Sequence, residues 1–126
     1  MDLEKFYSSL KRGAEKLAVQ TAAQKNKALE FVIQSIKQNS PLILEANARD
    51  IENARKEGMK EALVERLALN KEKIDLIIES IRIVIAQTDP IGEECAGWKT
   101  SDGMVIRQVR VPLGIAAIIY ESRPNV

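Results

Sequence analysis

The sequence predicts an α/β chain: helices first, then a β-hairpin, then one apolar strand. Three observations carry that reading. Apolar residues recur at helical spacing up to about residue 88. An Asp-Gly pair separates two extended runs between residues 89 and 112. Leu113 to Tyr120 is apolar on both faces of a strand. The expected organisation is therefore a helical N-terminal segment (1–88), a hairpin (89–112), and a first strand with its following loop (113–126).

Taken in order, Leu3, Phe6, Tyr7, Leu10, Ala14, Leu17 and Ala18 fall on one stripe and predict an amphipathic first helix. Leu29, Val32, Ile33 and Ile36 predict a second. Ser40-Pro41 then reads as an N-cap followed by proline at the first helical position, where its missing N–H costs nothing. A third helix would carry Leu44, Ala48, Ile51 and Ala54 and stop near Gly58, which tolerates a left-handed C-terminal conformation. A short piece, KEALVERLAL, leads to Asn70. That residue caps the strongest helix, built on Ile74, Ile77, Ile78, Ile81, Val84 and Ile85 and ending before Asp89-Pro90.

Beyond Pro90 the pattern changes. CAGWKTSDGMVIRQVRV is two extended runs around Ser101-Asp102-Gly103, a strong hairpin signal. On the return run Val105, Val109 and Val111 share a face with Arg107, and Met104, Ile106, Gln108 and Arg110 share the other. Neither is a plain core face, so the hairpin leans on a partner chain or another domain. The run from Leu113 to Tyr120 has no wet side, as in a central strand of a parallel sheet covered by helices. In such sheets ligands bind beyond the carboxyl ends of the strands, where YESRPN stands. A strand of that kind needs neighbours for its backbone groups, so the sequence reads as part of a larger domain.

Composition excludes several functions. The 126 residues are 45% apolar and 29% charged with net charge +1, ordinary for a globular protein and without a basic footprint for nucleic acid or an anionic membrane. No apolar run approaches a membrane span or a signal peptide. The lone Cys95 forms no internal disulfide, in keeping with a reducing, cytoplasmic setting. With no His, the commonest general base and the commonest metal ligand are both missing, and no metal is expected.

RVPLGIAAIIYESRPNV (Arg110 to Val126) resembles, almost residue for residue, the first nucleotide-domain strand and loop of the gamma-glutamyl phosphate reductases. These enzymes, also called glutamate-5-semialdehyde dehydrogenases, belong to the aldehyde dehydrogenase superfamily. KNKAL (25–29), ILEANARDIENAR (43–55), ERLALN (65–70) and DPIGE (89–93) match in the family's order, so the resemblance spans the whole chain. It implies an aldehyde dehydrogenase-like fold: the helical N-terminal segment, an oligomerisation-arm hairpin, and the first strand of the cofactor domain. Members are roughly three times this length, in line with two domains and an arm. The implied function is NADPH-dependent reduction of L-glutamyl 5-phosphate to L-glutamate 5-semialdehyde with release of phosphate, in proline biosynthesis. The family's nucleophilic cysteine and its cofactor-phosphate segments lie downstream, so this segment alone is expected to be inactive. Homo-oligomerisation through residues 95–112 and association with glutamate 5-kinase are also implied.

The resemblance makes Asn125 the oxyanion candidate, since superfamily enzymes aim an Asn amide and a backbone N–H at the developing charge. The competing reading is an Asn in a Pro-Asn turn. Arg123 can grip a carboxylate or a phosphate bidentately, and the substrate has both; an ion pair with Glu121 is the alternative. Ser122 and Glu121 complete the substrate-binding candidates, as loop groups that otherwise cap or solvate. Cys95 follows Glu93-Glu94, whose charge disfavours a thiolate, so it is not read as the nucleophile. Tyr120 reads as packing with its hydroxyl on a polar partner. The Lys-rich stretches (Lys25, Lys27; Lys56, Lys60; Lys71, Lys73) read as solvated helix faces. Trp98 is expected to anchor the hairpin on something apolar, and Gly114 to allow a bend or close approach. The rival reading is a non-catalytic helical interaction module of 126 residues.

Overall fold

The computed structural model describes residues 2–120, 123 and 124. Its elements run α1 (Leu3–Ala18), α2 (Ala22–Lys56), α3 (Glu61–Leu67), α4 (Lys71–Ala86), β1 (Glu94–Lys99) and β2 (Val105–Val109). They fall into two compact units, Met1–Lys25 with Thr88–Ala117, and Asn26–Gln87 with Ile118–Val126.

The second of these units holds the core. Ile33 from α2 and Ile74 and Ile78 from α4 are buried together, with Ile36, Ile43, Leu44, Ile81 and Ile85 packed around them. Val64 of α3 is fully buried. Asn70 caps α4 as its side chain implies, its Oδ1 accepting from the Lys73 N–H at 2.8 Å. Near the end of α2, Gly58 takes φ +75°, with its N–H on the Arg55 carbonyl and the Met59 N–H on that of Ala54. That bond pair is a Schellman stop, and glycine takes its left-handed conformation without the strain an L side chain would carry.

One expectation needs correcting here. Ser40-Pro41 does not start a new helix; α2 runs unbroken from Ala22 to Lys56 with Pro41 inside it. Proline there removes one donor and crowds the preceding turn, at about 3 kcal/mol. Against that stands the stripe Ile33, Ile36, Ile43, Leu44, Asn47, Ile51 and Ala54, which keeps its three-and-four spacing straight across Pro41. Each fully buried aliphatic side chain contributes about 1.5–3 kcal/mol, so a helix in one phase outweighs the broken bond. Pro41 itself is exposed.

In the other unit, α1 begins at Asp2, whose Oδ1 accepts from the Lys5 N–H at 3.3 Å. Thr21 and Gln24 form a reciprocal capping box at the start of α2. The Thr21 N–H donates to Gln24 Oε1 at 2.9 Å, and the Gln24 N–H to Thr21 Oγ1 at 3.2 Å. β1 and β2 pair antiparallel as the Asp-Gly turn predicts, with Trp98 opposite Ile106 and Gly97 opposite Arg107. The register slips between Glu94 and Ala96, leaving Cys95 as the extra residue of a β-bulge. Below the bulge, Arg110 exchanges backbone bonds with Gly92 and Glu93, and its Nε lies 2.8 Å from Glu93 Oε2. Trp98 is 54% exposed, so within this chain it does not anchor the hairpin on an apolar surface.

The run from Leu113 to Tyr120 also departs from expectation. It has no regular secondary structure, and Leu113 and Ile119 are 101% and 99% exposed. A strand is held by ladder bonds to its neighbours. β1 and β2 pair only with each other, and among the described residues no strand pairs with this run. Gly114 at φ +91° turns the backbone out of the extended region as well. Among the described residues no helix is long and apolar enough to cross a membrane.

Candidate functional site

Of the four candidate residues near the C-terminus, Glu121, Ser122 and Asn125 lie outside the described residues. Arg123 is exposed, and Pro124 is half-buried in a turn. Pro124 forms part of a groove of about 510 Å³ within the Asn26–Gln87 and Ile118–Val126 unit. The groove floor is the outer face of α4, with Leu76, Ile77, Ile81 and Val84, and its wall is the Arg66–Leu69 stretch at the end of α3.

That wall is held by a side chain the sequence reading passed over. Asn47 is buried on the inner face of α2. Its Nδ2 donates to the Leu67 carbonyl at 2.9 Å and its Oδ1 accepts the Leu69 N–H at 2.7 Å. Two backbone groups leaving α3 are thereby satisfied inside the protein, where they would otherwise be costly to bury. The signal was available: Asn47 is a polar residue in the apolar stripe between Leu44 and Ile51. Lys73, read as solvated, instead donates through Nζ to the Ala68 carbonyl and, at 3.2 Å, to that of Glu65. It neutralises the exposed carbonyl end of α3. Arg66 and Lys73 are both on the groove, and among the described residues none that lines it is acidic. The groove therefore suits an anionic ligand with an aliphatic body.

A second polar centre lies in the other unit. Lys25 Nζ meets Asp89 Oδ2 at 2.7 Å, both side chains more than three-quarters buried. Asp89 Oδ1 also accepts the Ile91 N–H at 3.1 Å. The Lys25 hydrogen bond, and then that N–H, hold the Asp89 carboxyl below its ordinary value. Lys25 is thus a structural partner rather than a solvated charge; it joins the first turn of α2 to the stem of the hairpin. Lys27 does stay at the surface, its Nζ 5.9 Å from the centre of the Phe31 ring. Cys95 is exposed on its bulge, with Sγ 3.9 Å from the Glu93 carbonyl oxygen. No cluster of three or more His, Cys, Asp or Glu side chains occurs among the described residues.

No family model matches the chain. Against curated proteins it is 44% identical, over all 126 residues, to gamma-glutamyl phosphate reductase of Vibrio atlanticus. It is 47% identical over 116 residues to the protein of the same name from Brucella suis. The crystal structure of gamma-glutamyl phosphate reductase from Thermotoga maritima superposes with a TM-score of 0.83 at 38% identity, covering 89% of this chain and 27% of that one. By sequence and by fold, the chain is similar to the N-terminal part of the gamma-glutamyl phosphate reductases. It spans 30% of the length of the Vibrio reductase and 28% of the Brucella one. The helices and the two-stranded hairpin are the parts of that fold this chain builds by itself.

Proposed function

We propose that this chain serves as the N-terminal part of a cytoplasmic reductase converting L-glutamyl 5-phosphate to L-glutamate 5-semialdehyde, with release of phosphate. The observation that carries the reading is 44% identity over all 126 residues of this chain to a gamma-glutamyl phosphate reductase. In this reading α1 to α4 frame the site, and Arg123, Ser122 and Glu121 border the substrate. Asn125 supplies an amide donor to the oxyanion formed at the substrate carbonyl, a preorganised interaction that strengthens as charge develops. The hairpin over residues 95–112 contacts further copies of the chain, and glutamate 5-kinase is a partner for the assembled enzyme.

NADPH belongs to the reaction, but the described residues do not fit it. Their only sheet is an antiparallel hairpin without a crossover helix whose N-terminus could receive a pyrophosphate. Gly114 stands alone in an open stretch, with no neighbouring atom within 4 Å of where a Cβ would lie. The cofactor contacts are accordingly assigned to chain beyond this segment.

The test is a chimera in which this chain replaces the N-terminal part of the Thermotoga maritima reductase. It is assayed in reverse, with semialdehyde, phosphate and NADP. Turnover near that of the parent enzyme is expected; a soluble, assembled but inactive chimera would overturn the reading. In the active chimera Asn125→Ala is expected to lower turnover about 100-fold or more, the usual cost of losing one oxyanion donor. Unchanged turnover removes Asn125 from that role.

A further inference from the structure

The chain has eight arginines. Among the described residues five of them have a carboxylate partner: Arg49 with Glu45, Arg55 with Glu61, Arg82 with Glu79, Arg107 with Glu94, and Arg110 with Glu93. Arg12, Arg66 and Arg123 have none there. Arg12 is an exposed residue of α1. Arg66 lines the groove over α4, whereas Arg123, next in sequence to the groove residue Pro124, is exposed and not part of the lining.

From this we infer that Arg66 is a substrate-binding residue, gripping an anionic group of the substrate in the α4 groove. The inference rests on the proposed reductase reading, and it names a recognition residue that the sequence alone did not suggest. Three features argue for it. Among the described residues the groove is lined by two cationic side chains and by no acid. Lys73 is committed to the carbonyls of Ala68 and Glu65, which leaves the guanidinium of Arg66 as the wall's available donor. The wall is also stiff, because Asn47 pins the backbone on both sides of Ala68 just after Arg66. A guanidinium carried on a fixed wall loses less freedom when it closes on an oxyanion, and its planar fork matches carboxylate and phosphate alike. The apolar floor of Leu76, Ile77 and Ile81 would take the methylene chain of an amino acid side chain.

The shared chemistry is an oxyanion, and the substrate offers two, the α-carboxylate and the phosphate. Reverse kinetics of the chimera separate them, since semialdehyde and phosphate are varied independently. With Arg66→Gln, KM for one of these two is expected to rise about tenfold or more, as for loss of a charge-assisted hydrogen bond, while kcat and KM for NADP change little. A rise for semialdehyde assigns Arg66 to the carboxylate, and a rise for phosphate assigns it to the phosphoryl group. Arg66→Lys should recover part of the loss, and Arg12→Gln should change nothing. An active parent chimera whose Arg66→Gln variant keeps both KM values overturns the inference while leaving the reductase reading intact. So does a variant that loses only kcat or folded yield, or in which only KM for NADP rises. An inactive parent chimera instead removes the reading on which the inference stands.

Discussion

Single residues decide more here than their surroundings in sequence suggest. Lys25 sits in a Lys- and Asn-rich stretch and looks like ordinary surface, yet tertiary folding brings it to Asp89, 64 positions away. The pair makes acid stability predictable. Asp89 has a folded-state pKa below its unfolded value of about 3.9, so its contribution is complete above that pH and is lost as pH falls through the folded value. Urea unfolding followed from pH 6 down to pH 2 (roughly the span of carboxylate titration) should show stability falling from about pH 4. Asp89→Asn should be less stable at neutral pH and show a shallower acid limb. An unchanged acid limb in that variant would mean that other carboxylates carry the acid sensitivity. Asn47 makes a related point without charge, since its role follows from where Leu67 and Leu69 end up rather than from its neighbours along the chain.

At the level of elements, the contest in α2 is between a local breaker and a long-range stripe. Pro41 argues for a boundary from its own geometry, whereas the phase of Ile33, Ile36, Ile43 and Leu44 against α4 argues for continuity, and continuity wins. Because Pro41 is exposed, its replacement touches the backbone term alone. Pro41→Ala restores a donor for the Lys37 carbonyl and should stabilise the chain by about 1–3 kcal/mol, read as a raised thermal midpoint with added helical ellipticity. A lowered midpoint would mean that α2 needs the irregularity proline imposes. α3 shows the opposite balance. It is a helix of seven residues without a side-chain N-cap bond, too short to persist on its own propensity. Val64 in the core and Lys73 on its last carbonyls hold it in place.

For the molecule as a whole, the distribution of apolar surface is the telling quantity. The stripe of α1 leaves Leu3, Phe6, Tyr7, Leu10 and Leu17 exposed, and beside it an open groove of about 850 Å³ is edged by Leu113 and Ile115. Contiguous apolar surface on this scale marks a face meant for burial. The isolated chain is therefore expected to self-associate at micromolar concentration and to bind a hydrophobic dye, with Leu113→Asp and Ile119→Asp weakening both effects. Sedimentation velocity decides it; a monodisperse monomer that ignores the dye would show that these residues are content in water.

Helix positions, the Asn70 cap, the Gly58 stop and the Asp-Gly hairpin were legible in the sequence because each depends on residues within a turn or two of one another. The likeness to the reductases was legible for the same kind of reason, as ordered local motifs. What only the tertiary structure decided was how distant groups met: Lys25 with Asp89, Asn47 with the end of α3, Arg66 with the turn at Pro124, and one helix where local rules called for two. It also decided that Leu113 to Tyr120 has no strand conformation here. Periodicity measures how well a segment suits burial, but a strand exists only where another backbone supplies its hydrogen bonds, and that requirement is not written in the segment itself.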